Sequence, residues 1–513
     1  MARATIRLMG SWAAIMAFGL AAAGTAVSAE GSAEGASGLD RQLTAALHAA
    51  GFTGRIEQSL PQRLGRPLNH PLADLGRLLW FDKSGGLHSD NTCGGCHSPA
   101  TGFGDSQSIA IGIQNNNLVG PHREGPRNQR RTPAAVNVAF YPKLMWNGRF
   151  ASLSGDPFDN SAGFSFPQPE GTTRFGPNDP IITHLLIAQA HMPPTELVEV
   201  AGFTGTRGTI GPEFDPFDDG LGSVVPAPDA SGYRNEPIRQ AVLERLNSTP
   251  AYRQKFGALF PAVAAGAPID FGMFGRAVAE FEFTLVFANA PVDRYARGDK
   301  SAMSDAQKRG ALIFLGKGNC VQCHAVAGQS NEMFSDFQMH DIGVPQIAPA
   351  FGVGKGNVIF DGPGRNEDFG LEQLTGNPAD RYKFRSSPLR NAALQPAFFH
   401  NGAFTHLEDA IRHHLDVARS VRDYDPISAG LANDLTLPIG PMAPVLARLD
   451  PLLATPLELR PDEFRDLVAF VRDGLLDDRA RKENLCKLVP PSVPSGFTVL
   501  QFERCPGRER QDN

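Results

Sequence analysis

The sequence predicts a mainly helical protein built of two related units in tandem, with long loops attached. Three observations carry this. Apolar residues recur mostly at a spacing near 3.6, and few stretches alternate as strands do. The pentad Cys93-Gly94-Gly95-Cys96-His97 recurs once, as Cys320-Val321-Gln322-Cys323-His324. Each copy directly follows a helical pattern. A Cys-x-x-Cys-His run is the attachment signature of a c-type haem: both thiols add to one porphyrin, and the adjacent His becomes the proximal iron ligand. Paired Cys-x-x-Cys elements also build all-thiolate zinc sites. With only 13 His in 513 residues, a His after both pairs by coincidence is improbable. The reading is therefore two covalently bound haems in two tandem cytochrome c-like domains, one on Cys93, Cys96 and His97, the other on Cys320, Cys323 and His324.

Residues 1–29 read as a secretory signal peptide: Arg3 and Arg7, then an apolar core, then Val27-Ser28-Ala29 as a small-residue exit. The run is short and interrupted by Gly, which favours a leader over a membrane span. The mature chain is expected in the periplasm, with no transmembrane segment. A formal net charge of −6 names no partner and argues against nucleic acid. Residues 31–37 are a small-residue linker, and residues 39–50 form a short helical pattern. Residues 70–81 carry Leu72, Leu75 and Leu79 at helical spacing and run into the first pentad.

Residues 150–236 are rich in Gly, Pro, Asp and Phe and read as loops draped on the core. One helix is expected there, from Asp179 as N-cap with Pro180 behind it to His191. A long helix follows at about 271–288, then a polar link over 291–300. The first domain is thus 30–290 and the second 300–480. Ser304-Asp305-Ala306-Gln307 is a capping-box signature opening the helix ahead of the second pentad. A last amphipathic helix carries Phe464, Leu467, Val468 and Val471. In the tail, 481–513, Cys486 and Cys505 are left over from the pentads; in a secreted protein they read as a disulfide, with two free thiols as the alternative.

Around the first pentad stand Leu75-Gly76-Arg77-Leu78-Leu79-Trp80-Phe81-Asp82, Arg130-Arg131-Thr132-Pro133 and Met145-Trp146-Asn147-Gly148-Arg149. Beyond the second come Phe384-Arg385-Ser386-Ser387-Pro388-Leu389-Arg390-Asn391 and Phe399-His400-Asn401-Gly402. Together these resemble the bacterial di-haem cytochrome c peroxidase family, which includes MauG, from about residue 71 to 476. Residues 150–236 match least.

The resemblance implies a peroxidatic first haem and a second haem that passes electrons to it. It implies hydrogen peroxide as oxidant and a small donor protein, a c-type cytochrome or a cupredoxin. A homodimer is left open. Trp146 matches the family's inter-haem tryptophan, and Glu199 fits the spacing of its catalytic carboxylate better than Glu196. His122 is the nearest candidate for the histidine that blocks the first iron in many members, offset by about one residue; MauG-like members lack that ligand.

His414 stands where the peroxidases have Met and MauG has Tyr, on a helix whose phase is set by a capping box at Thr405 and Glu408. Leu407, Ile411 and His414 then share a face, with His413 turned away. A second haem held by His324 and His414 follows, easier to oxidise than one with Met. The family also has a calcium ion between the haems, but its Asn ligand matches Arg131 here, which leaves calcium doubtful. The expected activity is periplasmic peroxide reduction. The alternatives are a MauG-like oxidase acting on an organic or protein substrate, and a di-haem electron carrier without enzymatic activity.

Overall fold

The helices leading into the two pentads are locked in place by the same device. In the computed structural model, which describes residues 26–172, 174–212, 214–218, 220–222, 225–349 and 359–506, the main helices are α1 (Ala26–Ala49), α2 (His70–Phe81), α3 (Leu185–Gln189), α4 (Asn235–Ser248), α5 (Phe271–Phe283), α6 (Pro291–Ala296), α7 (Asp305–Leu315), α8 (Leu407–Leu415) and α9 (Pro461–Ala469). Strands are short and pair in twos and threes. The expected signal peptide lies outside the described residues except for 26–29.

Helix α2 starts where the Asn69 side chain accepts from Leu72 N–H at 3.1 Å, with Pro71 in the first turn. It buries Leu72, Leu75, Leu79, Trp80 and Phe81, each large side chain contributing about 1.5–3 kcal/mol of burial. It crosses α5 so closely that a Cβ on Gly76 would stand 1.8 Å from the Ala277 carbonyl oxygen. Only glycine permits this crossing. Helix α7 opens on the expected capping box, Gln307 N–H to Ser304 Oγ and Ser304 N–H to Gln307 Oε1. A Cβ on Gly310 would stand 1.9 Å from the Asp466 carbonyl oxygen of α9. Each pentad therefore follows a helix clamped by a glycine against a helix later in the chain.

Several expectations change. Helix α1 continues through 31–37, where two Gly and two Ser predict a linker. Residues 150–236 are not merely draped: Phe164, Phe166, Phe175 and the apolar face of α3 are buried in the main core. The helix expected from Asp179 begins only at Leu185, capped by His184. Asp179 spends its carboxylate on Ile181 and Ile182 N–H in a turn. Helix α5 stops at Phe283 because the backbone beyond it bonds elsewhere: Asn137 holds Phe287 through both its amide groups, and Glu57 takes Ala288 N–H. The polar link expected over 291–300 is largely helix α6, whose Asp293 is buried and takes two hydrogen bonds from Arg390 at 2.7 and 2.8 Å.

The tail returns to the first pentad. Strand β1 (Leu118–Val119) pairs in parallel with β2 (Gln501–Phe502), and Cys486 is disulfide-bonded to Cys505. Among the described residues no helix is long and apolar enough to cross a membrane.

Candidate functional site

At the first pentad, residues Cys93–Cys96 form one helical turn. A Cβ on Gly94 would meet the Phe81 ring, and one on Gly95 would meet Asn91 and Leu500. The thiols are unbonded to each other, and burial pushes Cys93 up to about 12 and Cys96 up to about 11, so both are protonated. His97 holds the Phe103 carbonyl through Nδ1 at 2.9 Å. Burial pushes its imidazole down to about 4. A neutral ring with Nδ1 fixed presents Nε2 as a metal donor.

Glu199 sits in the tight turn Leu197–Ala201. Asn91 fixes that turn, donating one amide bond to the Glu199 carbonyl at 2.7 Å and reaching Cys96 Sγ at 3.6 Å. Arg123, itself buried, holds Asn91 from behind. The Glu199 carboxylate is 3.9 Å from Arg149, which also meets Glu196 at 3.5 Å. Its side chain keeps 29% of its surface, yet burial, followed by the charge of Glu196, pushes it up to about 7 against the pull of Arg149. Both Glu199 and Glu282 lie near enough to Cys93 to bear on its ionisation.

Glu282, on α5, is absent from the expected set. It is buried among phenylalanines, one carboxyl oxygen has no partner, and burial pushes it up to about 8. The signal for it was a carboxylate inside the apolar run 277–286. His122 lies at the surface, its side chain 71% exposed and its Nδ1 2.9 Å from Glu503 of the tail.

At the second pentad a cavity of about 430 Å³ opens. Cys320, Cys323 and His324 line it, with His414, Leu407 and Ile411 opposite and Trp146 and Arg131 at another part of the wall. The rings of His324 and His414 stand 6.2 Å apart, centre to centre. Two imidazoles on one metal atom, at metal–nitrogen bonds of about 2 Å, are spaced roughly 6 Å. His324 Nδ1 is bonded to the Phe334 carbonyl at 3.0 Å and His414 Nδ1 to the Ala410 carbonyl at 2.8 Å. Each Nε2 is left for the space between. Burial, then His414, pushes His324 down to about 4. His413 is spent elsewhere, on Ser420 Oγ and the Ile342 carbonyl.

The capping box expected at Thr405 is not formed. The Thr405 hydroxyl bonds the Ala429 carbonyl, and α8 starts one residue later than that box implies, without a side-chain cap. The face carrying Leu407, Ile411 and His414 is unchanged. Trp146 is buried, and its indole N–H donates to the Arg131 carbonyl at 2.8 Å. The Arg131 guanidinium donates to the carbonyls of Gln107 and Asp105 and to Gln395 Oε1.

The four pentad thiols do not gather into one metal-binding cluster among the described residues, which speaks against the four-thiolate zinc reading; a single pentad thiol, Cys323, stands with Asp336 and His340. The donor set, two Cys-x-x-Cys pairs each followed by a His whose Nδ1 is held by a backbone carbonyl, with a cavity at the second pentad where the rings of His324 and His414 stand 6.2 Å apart, fits c-type haem. Fold and site together define a mainly helical oxidoreductase of the di-haem c-type class.

Comparison with known proteins specifies the class. Residues 70–301 match the family described as di-haem cytochrome c peroxidase. Over that stretch the chain is similar to the di-haem cytochrome c peroxidases, and its relatives include MauG and cytochrome c551 peroxidases. Cytochrome-c peroxidase IdrP1 of Pseudomonas sp. strain SCT is 28% identical over 66% of this chain and 70% of its own. Methylamine utilization protein MauG of Methylorubrum extorquens is 27% identical over 80% of this chain and 85% of its own. Among solved structures, a MauG-like protein associated with microbial copper homeostasis shares the fold at a TM-score of 0.52 and 20% identity, covering 81% of this chain and 91% of that one.

Proposed function

We propose that this chain is a periplasmic di-haem peroxidase that reduces hydrogen peroxide to water with electrons from a small redox protein. The observation that carries the reading is the asymmetry of the two pentads. A carboxyl poised near 7 stands by the first, and two imidazoles face each other at the second. In this reading Cys93, Cys96 and His97 hold one haem, and Cys320, Cys323, His324 and His414 hold the other. Haem supplies the redox chemistry of O–O cleavage and electron transfer.

The chain's own residues manage the protons. Reduction of peroxide to two waters consumes two electrons and two protons. Glu199 takes a proton from the inner peroxide oxygen and returns it to the outer one as the bond breaks, a task that suits a pKa close to working pH. Arg149 steers the carboxylate. Trp146 lies in the wall of the second cavity and relays the electron toward the first pentad. His122 lies at the surface beside Glu503, on the loop that strand β1 pins to the tail, so in this reading it would not block a haem held by His97. The leader, and a disulfide in the tail, support the periplasm.

A nitrogen donor at position 414 favours a second reading, in which oxidising equivalents are stored and spent on an organic or protein substrate. Low-temperature EPR of the ferric protein tests the first proposal. One high-spin and one low-spin haem are expected at the outset. Two haems that stay low-spin even after one-electron reduction would leave only an electron carrier. Turnover of peroxide with and without an added c-type cytochrome separates the peroxidase from the oxidase.

A further inference from the structure

The cavity at the second pentad is walled mainly by apolar side chains, and three positive groups lie in or near it without an ion-pair partner. Arg385 is buried at 4% exposure. Its guanidinium donates only to backbone oxygens, Met145 at 3.1 Å and Ser386 at 3.0 Å, leaving Nη2 unassigned on a residue that lines the cavity. Arg131 lines the same cavity, bound only to neutral oxygens. Lys143, half-buried, has its pKa lowered by burial and then by the nearby charge of Arg385, against a weaker pull from Asp336.

None of the three forms an ion pair, whereas the buried Arg390 pairs with Asp293, Arg127 with Asp434 and Arg239 with Glu170 and Glu236. Arg123 is also buried without a carboxylate, but its Nε, Nη1 and Nη2 all donate to neutral oxygens, while Arg385 leaves Nη2 unassigned. An unpaired buried guanidinium is costly, and the effect is visible in Arg385, which burial pushes down to about 10. An anion taking up the unassigned Nη2 would offset that cost. The two arginines also bracket Trp146, whose indole N–H donates to the Arg131 carbonyl while its own carbonyl accepts from the backbone N–H of Arg385 at 2.8 Å.

We propose that Arg385, supported by Arg131 and Lys143, is a carboxylate seat that binds the propionate groups of the second haem. The proposal rests on the reading that the second pentad carries a haem. A planar guanidinium fork matches a carboxylate in geometry as well as charge. Covalent attachment through Cys320 and Cys323 does not need this contact, so the seat sets the haem's electronics and not its retention. A cation beside the propionates destabilises the ferric form and raises the potential of the second haem.

The test uses the full-length holoprotein and its R385Q and R385K variants. Haem content is read first: fewer than two haems in the wild type would refute the underlying reading, independently of Arg385. With two bound, R385Q is expected to keep both, to lower the midpoint potential of the low-spin haem, and to shift its propionate bending band in resonance Raman spectra. R385K, which keeps the charge but loses the fork, should restore most of the potential while still shifting the band. An R385Q protein with two haems and an unchanged potential and band would overturn the proposal. If R385Q does not fold, an unchanged band in R385K would overturn it. A seat for free anions instead would reveal itself if inorganic phosphate moved the wild-type potential while R385Q left the propionate band alone, and that result would also refute the proposal.

Discussion

The two pentads are the same five-residue chemistry set into opposite electrostatic surroundings. The first is sealed beneath Phe81, Leu500 and Phe502 and has carboxyls for neighbours, Glu199 and Glu282, both held far above the ordinary range by burial. The second has no fully buried residue in its own turn, opens on a cavity, and has guanidinium groups without carboxylate partners along the wall. In the proposed reading the attachment motif marks where each haem would be held, while the surrounding charges would equip the first site to move protons and the second to pass electrons.

Removing the proton-handling group gives the largest expected effect. Glu199→Gln is expected to cut peroxide turnover by about 10²–10⁴-fold, measured in steady state with both haems loaded. The wild-type rate should fall as pH drops below about 7, where Glu199 becomes protonated, while the residual rate of E199Q should be flat over that range. Turnover unchanged in E199Q would move the role to Glu196 or away from this turn.

Glu282 sharpens the contrast through stability. Its folded pKa, about 8, lies above the ordinary 4.5, so the folded state holds more protons than the unfolded one between those values. Stability is therefore lost as pH rises from about 4.5 to about 8. Glu282→Gln should stabilise the protein by up to a few kcal/mol at pH 9 and by almost nothing at pH 4, as read from denaturant midpoints. A pH-independent difference would mean the carboxyl is not buried unpaired.

His414→Met addresses the second pentad. It should raise the potential of the second haem by on the order of a tenth of a volt, within the span axial ligands cover, as followed by spectroelectrochemistry. An unchanged potential would exclude His414 as a ligand. The smallest effect belongs to Glu503→Gln. An exposed ion pair is worth about 0–1 kcal/mol, so stability should hardly change, and the backbone pairing of β1 with β2 should keep His122 outward. A new low-spin signal at the first haem in E503Q would show that this pair was holding a ligand back.

What the sequence made legible was chemistry confined to a few adjacent residues. The pentads and the Ser304–Gln307 box work through neighbours in the chain and could be read directly. Asp179 and Thr405 misled because their side chains can satisfy either a helix end or a nearby carbonyl or turn, and the rest of the fold selects between them. Arg149, Glu282 and Arg385 were not singled out because what distinguishes them is burial and the absence or choice of a partner, set by segments far away in sequence. Arg385 leans on Met145 and Ser386, while Glu282 depends on the packing of α5. For Glu199 and Glu196 the sequence offered two carboxylates one turn apart, and both meet Arg149.

The tail that returns to the first pentad imposes an order on biogenesis. Leu500 and Phe502 are among the last described residues, yet they close over Gly95 and Gly94, near the beginning of the chain. Attachment of a haem at Cys93 and Cys96, as proposed, would need those thiols uncovered. Its window at the first pentad closes once β2 is laid against β1 and the Cys486–Cys505 bond fastens the tail. The second pentad, with no such cover, keeps its window open longer.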